Sequence, residues 1–571
     1  MPFEMSRAEY ARRYGPTTGD RVRLADTDLW VEVEDDHVGY GDEPLWGYGK
    51  NIRSRMTQAD RVSAESELDV LVAGVLVVDP ALGVIKANIG VKGGRIVGIG
   101  RAGNPDITAG IDMTIGPGTL PIMGYGLIAT AGVVDSHVHL LSPNLVPVAL
   151  SAGVTTLITA GFEEPPMQMG ITMQAFEGLP VNLGLQASSR TDAPGAVERL
   201  IEAGSVGLKI HEDWGAYPEV IDATLRLADA HDIAVALHTD SLNESAQLSE
   251  TIASIDGRAV HAYHVEGAGG GHIPDVLGLV GEANVVCSST TPTVPFGVSA
   301  VREHVEMILA VHAGNPDVET DVESARERVR ATTMAAEGPL HELGAISIVN
   351  SDSQGMGRIG ETMRRTLQLA HVMKGWRASE AAEGLPEAPP IRGRSAGGAD
   401  NDRVLRYLAK VTAEPAITHG ISDEVGSLLP GRLADVILWR PGSFGVKPTL
   451  VLKSGHAAWG PLGEGNATVE SVEPVRYAPQ WAALGTAPAT VAATFVSRAA
   501  LDNGLRERLG SRRRFTAVSR TRDVHRSSLV ANSAVTPVRV DPADGTVRLD
   551  DRVLASEPVA ELPLGRRYLL G

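Results

Sequence analysis

The sequence predicts an α/β protein: a (β/α)8 barrel of TIM type with a smaller β-rich domain formed by the segments that flank it. Three observations predict it. From about residue 127, apolar strand-like runs alternate with helical stretches, the pattern of a parallel sheet. Eight such runs occur before residue 354, the number that closes a barrel. On either side of them the chain returns to short β-rich pieces, as expected if the two flanks pair. A length of 571 residues also exceeds what one hydrophobic core organises, so a large domain plus smaller ones is expected.

Taken in order, residues 1–65 form a polar, turn-rich N-terminal β-rich segment. GPTTGD, GYGDEP and GYGKN mark loops and short strands there rather than a core-forming helix. Residues 66–130 are expected to join 425–480 in the small β domain. The run from Leu68 to Gly100 breaks into β-rich pieces at Asp-Pro and Gly turns, and HGISDEVGSLLPGRLADVILWRPGSFGV returns to short strands after the barrel. The barrel is expected over 131–424. Its strands are LIATAGVVDSHVHL, VTTLITAG, PVNLGLQAS, VGLKIHED, IAVALHTD, RAVHAYHV, ANVVCSST and AISIVNSDS. Residues 374–402, rich in Ala, Gly, Pro and charge, read as a surface loop or mobile flank. Residues 481–571 are expected to form a C-terminal α+β segment.

Composition narrows the function. A hydrophobic fraction of 43% and a charged fraction of 21% belong to an ordinary globular chain. The formal net charge of −19 repels phosphate backbones and anionic lipid, which argues against nucleic acid or a membrane surface as partner. With one cysteine, Cys287, no intrachain disulfide forms and no thiolate metal cluster is built. The N-terminal residues contain no apolar run of the secretory kind. The apolar stretch from Val70 to Val78 is closed by Asp69 and Asp79, too short for a membrane span. A cytoplasmic location is the expectation.

The chemistry gathers at predicted strand ends. His137 and His139 are spaced by two on a strand, which turns both imidazoles to one face, where two nitrogens converge on one metal. Alone, such a pair reads equally as one packed and one surface imidazole. In VGLKIHEDWG, the same alternation puts Lys209, His211 and Asp213 on one face. A charged lysine beside a cation is repelled. Its carbamate, formed with carbon dioxide, is an anion whose two oxygens bridge a metal pair. The plainer reading is an interior lysine paired with Asp213. His238, His264 and Asp352 end three further strands, and four histidines, a lysine and an aspartate at equivalent strand ends together point to metal binding. Nitrogen and oxygen donors suit zinc, nickel, iron or manganese, and spacing does not choose among them.

Other features are weaker. EGAGGGH, Glu266 to His272, lacks the spacing of a phosphate loop, and its glycines fit close backbone approach to a ligand. Locally, His312 reads as a surface residue ending a helix, Arg328 as a solvated helix charge, and Cys287 as a buried thiol without a base.

These strand ends, in the order DSHVHL, GLKIHEDWGA, ALHTDSLNES, HAYHVEGAGGGH and NSDSQGMGRIGE, resemble the bacterial urease alpha subunit, a member of the amidohydrolase superfamily. The resemblance runs from SRAEYARRYGPTTGDRVRLADTDLWVEVE through GVIKANIGVKGGRIVGIGRAGNPDI to GSLLPGRLADVILW, nearly the whole chain. It implies nickel-dependent hydrolysis of urea to ammonia and carbamate. His137, His139, Asp352 and carbamylated Lys209 would hold one nickel ion, and Lys209, His238 and His264 the other, with a bridging hydroxide between them. It further implies that His211 contacts the urea carbonyl oxygen. His312 would be the general acid on a mobile flap, tuned by Asp213 and Arg328, which replaces the local readings of His312 and Arg328.

Two departures stand out. The family's flap cysteine is Val311 here, and its second flap histidine is Ala313. After VTTLITAG, the family's longer Gly/Thr-rich loop is replaced by GFEEPPMQMGITMQ, in which Glu163 and Glu164 add negative charge and leave room for a shifted substrate. Two alternatives follow: a binuclear amidohydrolase acting on another amide or ureido compound, and a non-catalytic urease-like protein. Because the chain opens at the alpha-subunit motif, the resemblance implies separate gamma and beta subunits, an (αβγ)3 assembly, and accessory proteins that load nickel and promote carbamylation of Lys209.

Overall fold

The computed structural model describes residues 4–39, 41, 43, 55–161, 165–211, 216–238, 248–267, 274–462 and 476–565. Eight barrel strands succeed one another: Val133–Val138, Val154–Thr159, Asn182–Gly184 continued by Gln186–Ser188, Gly207–Ile210, Ala234–His238, Val260–Tyr263, Val285–Thr290 and Ile348–Asn350. Each ladder between neighbours is parallel. Between the eighth and first strands, backbone pairing shrinks to a single bridge, Val138 with Ser353. There the buried Asp135 carboxylate accepts from Ser351 N (3.0 Å) and Thr362 Oγ1 (3.0 Å), so a side chain does part of the work of a ladder.

The helices pack outside. Pro218–His231 shows why such a segment folds. Proline at its start has a preset φ and no N–H to lose. Val220, Ile221, Thr224, Leu225, Leu227 and Ala228 form one buried stripe at helical spacing. Asp232, at φ 49°, ends the helix in the left-handed conformation. Each large apolar side chain in the stripe contributes about 1.5–3 kcal/mol by leaving water.

The flanks meet in a ten-stranded sheet. Ile128–Ala131 pairs in parallel with Val70–Asp79 and antiparallel with Val436–Trp439, joining residues before the barrel to residues after it. Asp435 ties this sheet to the barrel: it accepts from Asn182 Nδ2 (2.8 Å) and Ser454 N (3.0 Å), and forms a buried ion pair with Lys453.

Several elements differ from expectation. The N-terminal segment contains a helix, Arg7–Tyr14, though it buries none of its residues; Ser6 caps it, and Glu9 pairs with Arg13. Residues 374–377, expected in a surface loop, complete the helix Thr362–Arg377, because Met373 and Trp376 are buried against the core. Strands Ala493–Val496 and Arg514–Ala517 extend the barrel sheet outward from Asn182–Gly184. Arg513 locks this extension, its buried guanidinium donating to Thr494 Oγ1 and to the carbonyls of Phe176, Leu179, Val181 and Ala493.

Candidate metal-binding active site

The six predicted metal ligands and His211 lie at the C-terminal ends of the barrel strands. Asp352 Oδ1 stands 2.9 Å from His139 Nε2 and 3.2 Å from His137 Nε2, and the three side chains form one compact group of potential ligands. Beside it, His264 Nε2 lies 3.0 Å from His238 Nδ1, and the His211 ring is 4.0 Å from that of His238. The His137 and His264 rings are 5.7 Å apart, so the two groups adjoin. Lys209, 2% exposed, places its Nζ 3.8 Å from the centre of the Tyr263 ring, which itself stacks on His137.

Backbone departures produce this convergence. Strand alternation puts His261 and Tyr263 on one face and would turn His264 away. His264 reaches the cluster from φ 31°, and Asp352 does so from φ 54°. Left-handed backbone at non-glycine residues costs about 1–2 kcal/mol each and concentrates at functional sites. Gly161, at φ 89°, passes over the root of Lys209, where a Cβ would meet Lys209 Cβ at 2.1 Å. Only glycine fits between the second strand's exit and that lysine.

The electrostatics suit ligation. Burial pushes His137 and His238 well below the ordinary histidine range, and the charge of Lys209 and neighbouring imidazoles pushes them further. Both rings are therefore neutral, with lone pairs available. Burial would raise the Asp352 carboxyl, but its contact with His139 and the charges of His139, His264 and Lys209 outweigh burial and hold it below the ordinary range. Two imidazole nitrogens and a carboxylate oxygen gathered in one compact group fit a divalent cation, and a second pair of imidazoles beside them fits another.

His312 caps the C-terminus of helix Ala300–Val311 and is half-buried. Its charge is among those that depress His238, which puts it within electrostatic reach of that imidazole. Val311 beside it is exposed. Arg328 is the last residue of helix Glu319–Arg328 and is half-buried. Asp213, His272, Glu163 and Glu164 lie outside the described residues. Within the altered loop, residues 166–175 form a helix that buries Met169 and Met173. Cys287 is buried and outside any disulfide, and burial raises its thiol against the opposing pull of Arg526. Sequence reasoning missed Tyr263, Gly161 and Gly355, whose importance lies in contacts between distant strands that no local spacing reveals.

Comparison with known proteins places the chain in a family. Residues 3–122 match the model for the urease alpha-subunit N-terminal domain, and residues 128–458 match the amidohydrolase family. Urease subunit alpha 1 of Streptomyces avermitilis is 47% identical over 569 residues, covering 98% of this chain and 99% of that protein. Among solved structures, a D-hydantoinase is similar over 68% of this chain and 95% of its own, with a TM-score of 0.45 and 14% identity. A dihydropyrimidinase from Brevibacillus agri covers 68% and 94%, with a TM-score of 0.46 and 14% identity.

Proposed function

The chain belongs to the urease alpha-subunit family and is a hydrolase of that kind, and from that premise we propose that it splits urea with two nickel ions held by six named side chains. His137, His139 and Asp352 would hold one ion, and His238 and His264 the other, with N6-carboxylated Lys209 shared between them. The observation that carries this is the convergence of those six residues at barrel strand ends, with two imidazoles held neutral by burial. Bound nickel supplies Lewis acidity, polarising the urea carbonyl and acidifying water to a nucleophile near neutral pH.

The chain's own groups do the rest. His211, against His238, orients urea by hydrogen bonding to its carbonyl oxygen. An amide anion is a very poor leaving group, so a proton must reach the departing nitrogen, and His312 delivers it from the end of its helix. Asp213 and Arg328 tune that imidazole. The burial of the cluster excludes bulk water and strengthens each of these interactions. Gamma and beta subunits complete the enzyme as (αβγ)3, and accessory proteins deliver nickel and promote carbamylation. No helix among the described residues is long and apolar enough to cross a membrane. A cytoplasmic location is part of the same proposal and rests on the family resemblance.

The test is a substrate panel on nickel-loaded protein co-expressed with its companion subunits. Ammonia release from urea, with hydantoin and dihydroorotate left intact, is expected. Turnover of a cyclic amide in preference to urea would assign the altered loop a changed specificity, and turnover of none would make this a binding protein.

A further inference from the structure

We propose that the ring of Tyr263 is the positioning element that aligns His137 and Lys209 with one another, an inference that rests on the ligand assignment above. Tyr263 ends the sixth barrel strand, fully buried, one residue before His264. Its ring lies 4.0 Å from the His137 imidazole, at 21° between planes, and 3.8 Å from Lys209 Nζ. One aromatic ring therefore touches a ligand of the first ion and the lysine shared by both.

The ring is itself held from the first and third strands and from below. Its hydroxyl donates to Ser136 O (2.7 Å) on the first strand and accepts from Gln186 Nε2 (2.8 Å) on the third. Gln186 is held in turn by Thr159 on the second, whose Oγ1 accepts from Gln186 N (2.8 Å). Below, the His261 ring meets Tyr263 edge-on at 4.6 Å, backed by His419 at 3.1 Å. Such a crossbar fixes the tilt of His137 and the direction of the Lys209 side chain before any ion arrives. Groups that orient ligands without touching the ion typically change metal affinity or activity by about 10–100-fold when removed. Tyr263 is thus a positioning residue, and its flat face matters more than its hydroxyl.

The test compares wild type, Tyr263→Phe, Tyr263→Leu and Tyr263→Met, each co-expressed with its companion subunits and loaded with nickel. Nickel retained against a chelator and the carbon-13 carbamate signal at Lys209 are read together with thermal melting. Tyr263→Phe keeps the ring and should hold nickel within about threefold of wild type. The Leu and Met variants should fold but hold it at least about tenfold more weakly. Their carbamate signal should fall and be partly restored by raising bicarbonate, a mass-action rescue that a merely misfolded core would not show. Equal retention in the Leu and Met variants, a loss in Phe as large as theirs, or failure of both Leu and Met to fold would overturn the proposal. Wild type that holds no nickel would instead overturn the ligand assignment, and this inference with it.

Discussion

Gly355 stands with its back to the ligand cluster, and replacing it with alanine tests how tightly that cluster is drawn. A Cβ there would lie 2.5 Å from Asp352 Oδ1, 2.6 Å from His139 Cδ2 and 2.8 Å from His139 Nε2. Gly355 is not in the left-handed region, so alanine is refused by space alone. Real Cβ contacts essentially never fall below 3.0 Å, and ordinary contact begins at 3.4 Å. Asp352 Oδ1 must therefore retreat by about 0.5 Å at least, and by about 0.9 Å for comfort, whereas ligand distances tolerate only about 0.2 Å. The turn cannot readily give way, because Gly355 N and Gly357 N both donate to Asp352 O, at 3.1 and 2.9 Å. Gly355→Ala should fold yet retain nickel about 10–100-fold more weakly against a chelator, with turnover falling at least as far. Gly195→Ala, where a Cβ meets nothing within 4 Å, is the control and should change neither. Full nickel and turnover within about twofold of wild type in Gly355→Ala would refute the reasoning.

Three further outcomes are expected. Arg513→Met leaves four carbonyls and the Thr494 hydroxyl without their buried donor and should destabilise the chain by about 3–5 kcal/mol in guanidinium unfolding; a change under about 1 kcal/mol would contradict the lock. Burial holds His419 down at about 4 from an ordinary 6.5, so the unfolded chain takes up its proton first as pH falls. That stability, up to about 3 kcal/mol, is complete above pH 6.5 and is lost as pH falls toward 4. His419→Gln should flatten part of the slope in guanidinium titrations, and an unchanged slope would count against it. His312→Ala should lower kcat by about 10²–10⁴-fold with KM little changed, as for loss of a general acid; a raised KM at constant kcat would make it a binding residue.

Much of the site was legible because barrel chemistry sits at strand ends. His137 and His139 announce themselves by a spacing of two, and Lys209 and His238 close apolar strands of a readable length. His264 was legible by position but not by alternation, since a left-handed residue carries it to the other face. Local composition reads His312 and Arg328 as ordinary helix-end residues, and the structure does place both at helix ends, half-buried. A polar residue is ordinary there, and only the family resemblance singled them out. The outward extension of the barrel sheet by Ala493–Val496 escaped notice because the pairing is set by Arg513 reaching back some 330 residues, a contact that no local pattern reveals. Tyr263 and the two crowding glycines have no sequence signature, for their meaning lies in distances across the barrel.

The most direct test of the account is ammonia release from urea by wild type and Lys209→Ala, each assembled with the companion subunits, with nickel counted on the same samples. The account predicts about two nickel ions per chain and robust turnover in wild type, and loss of both in the variant. Urea turnover that survives without Lys209, or two firmly held ions in Lys209→Ala, would contradict it.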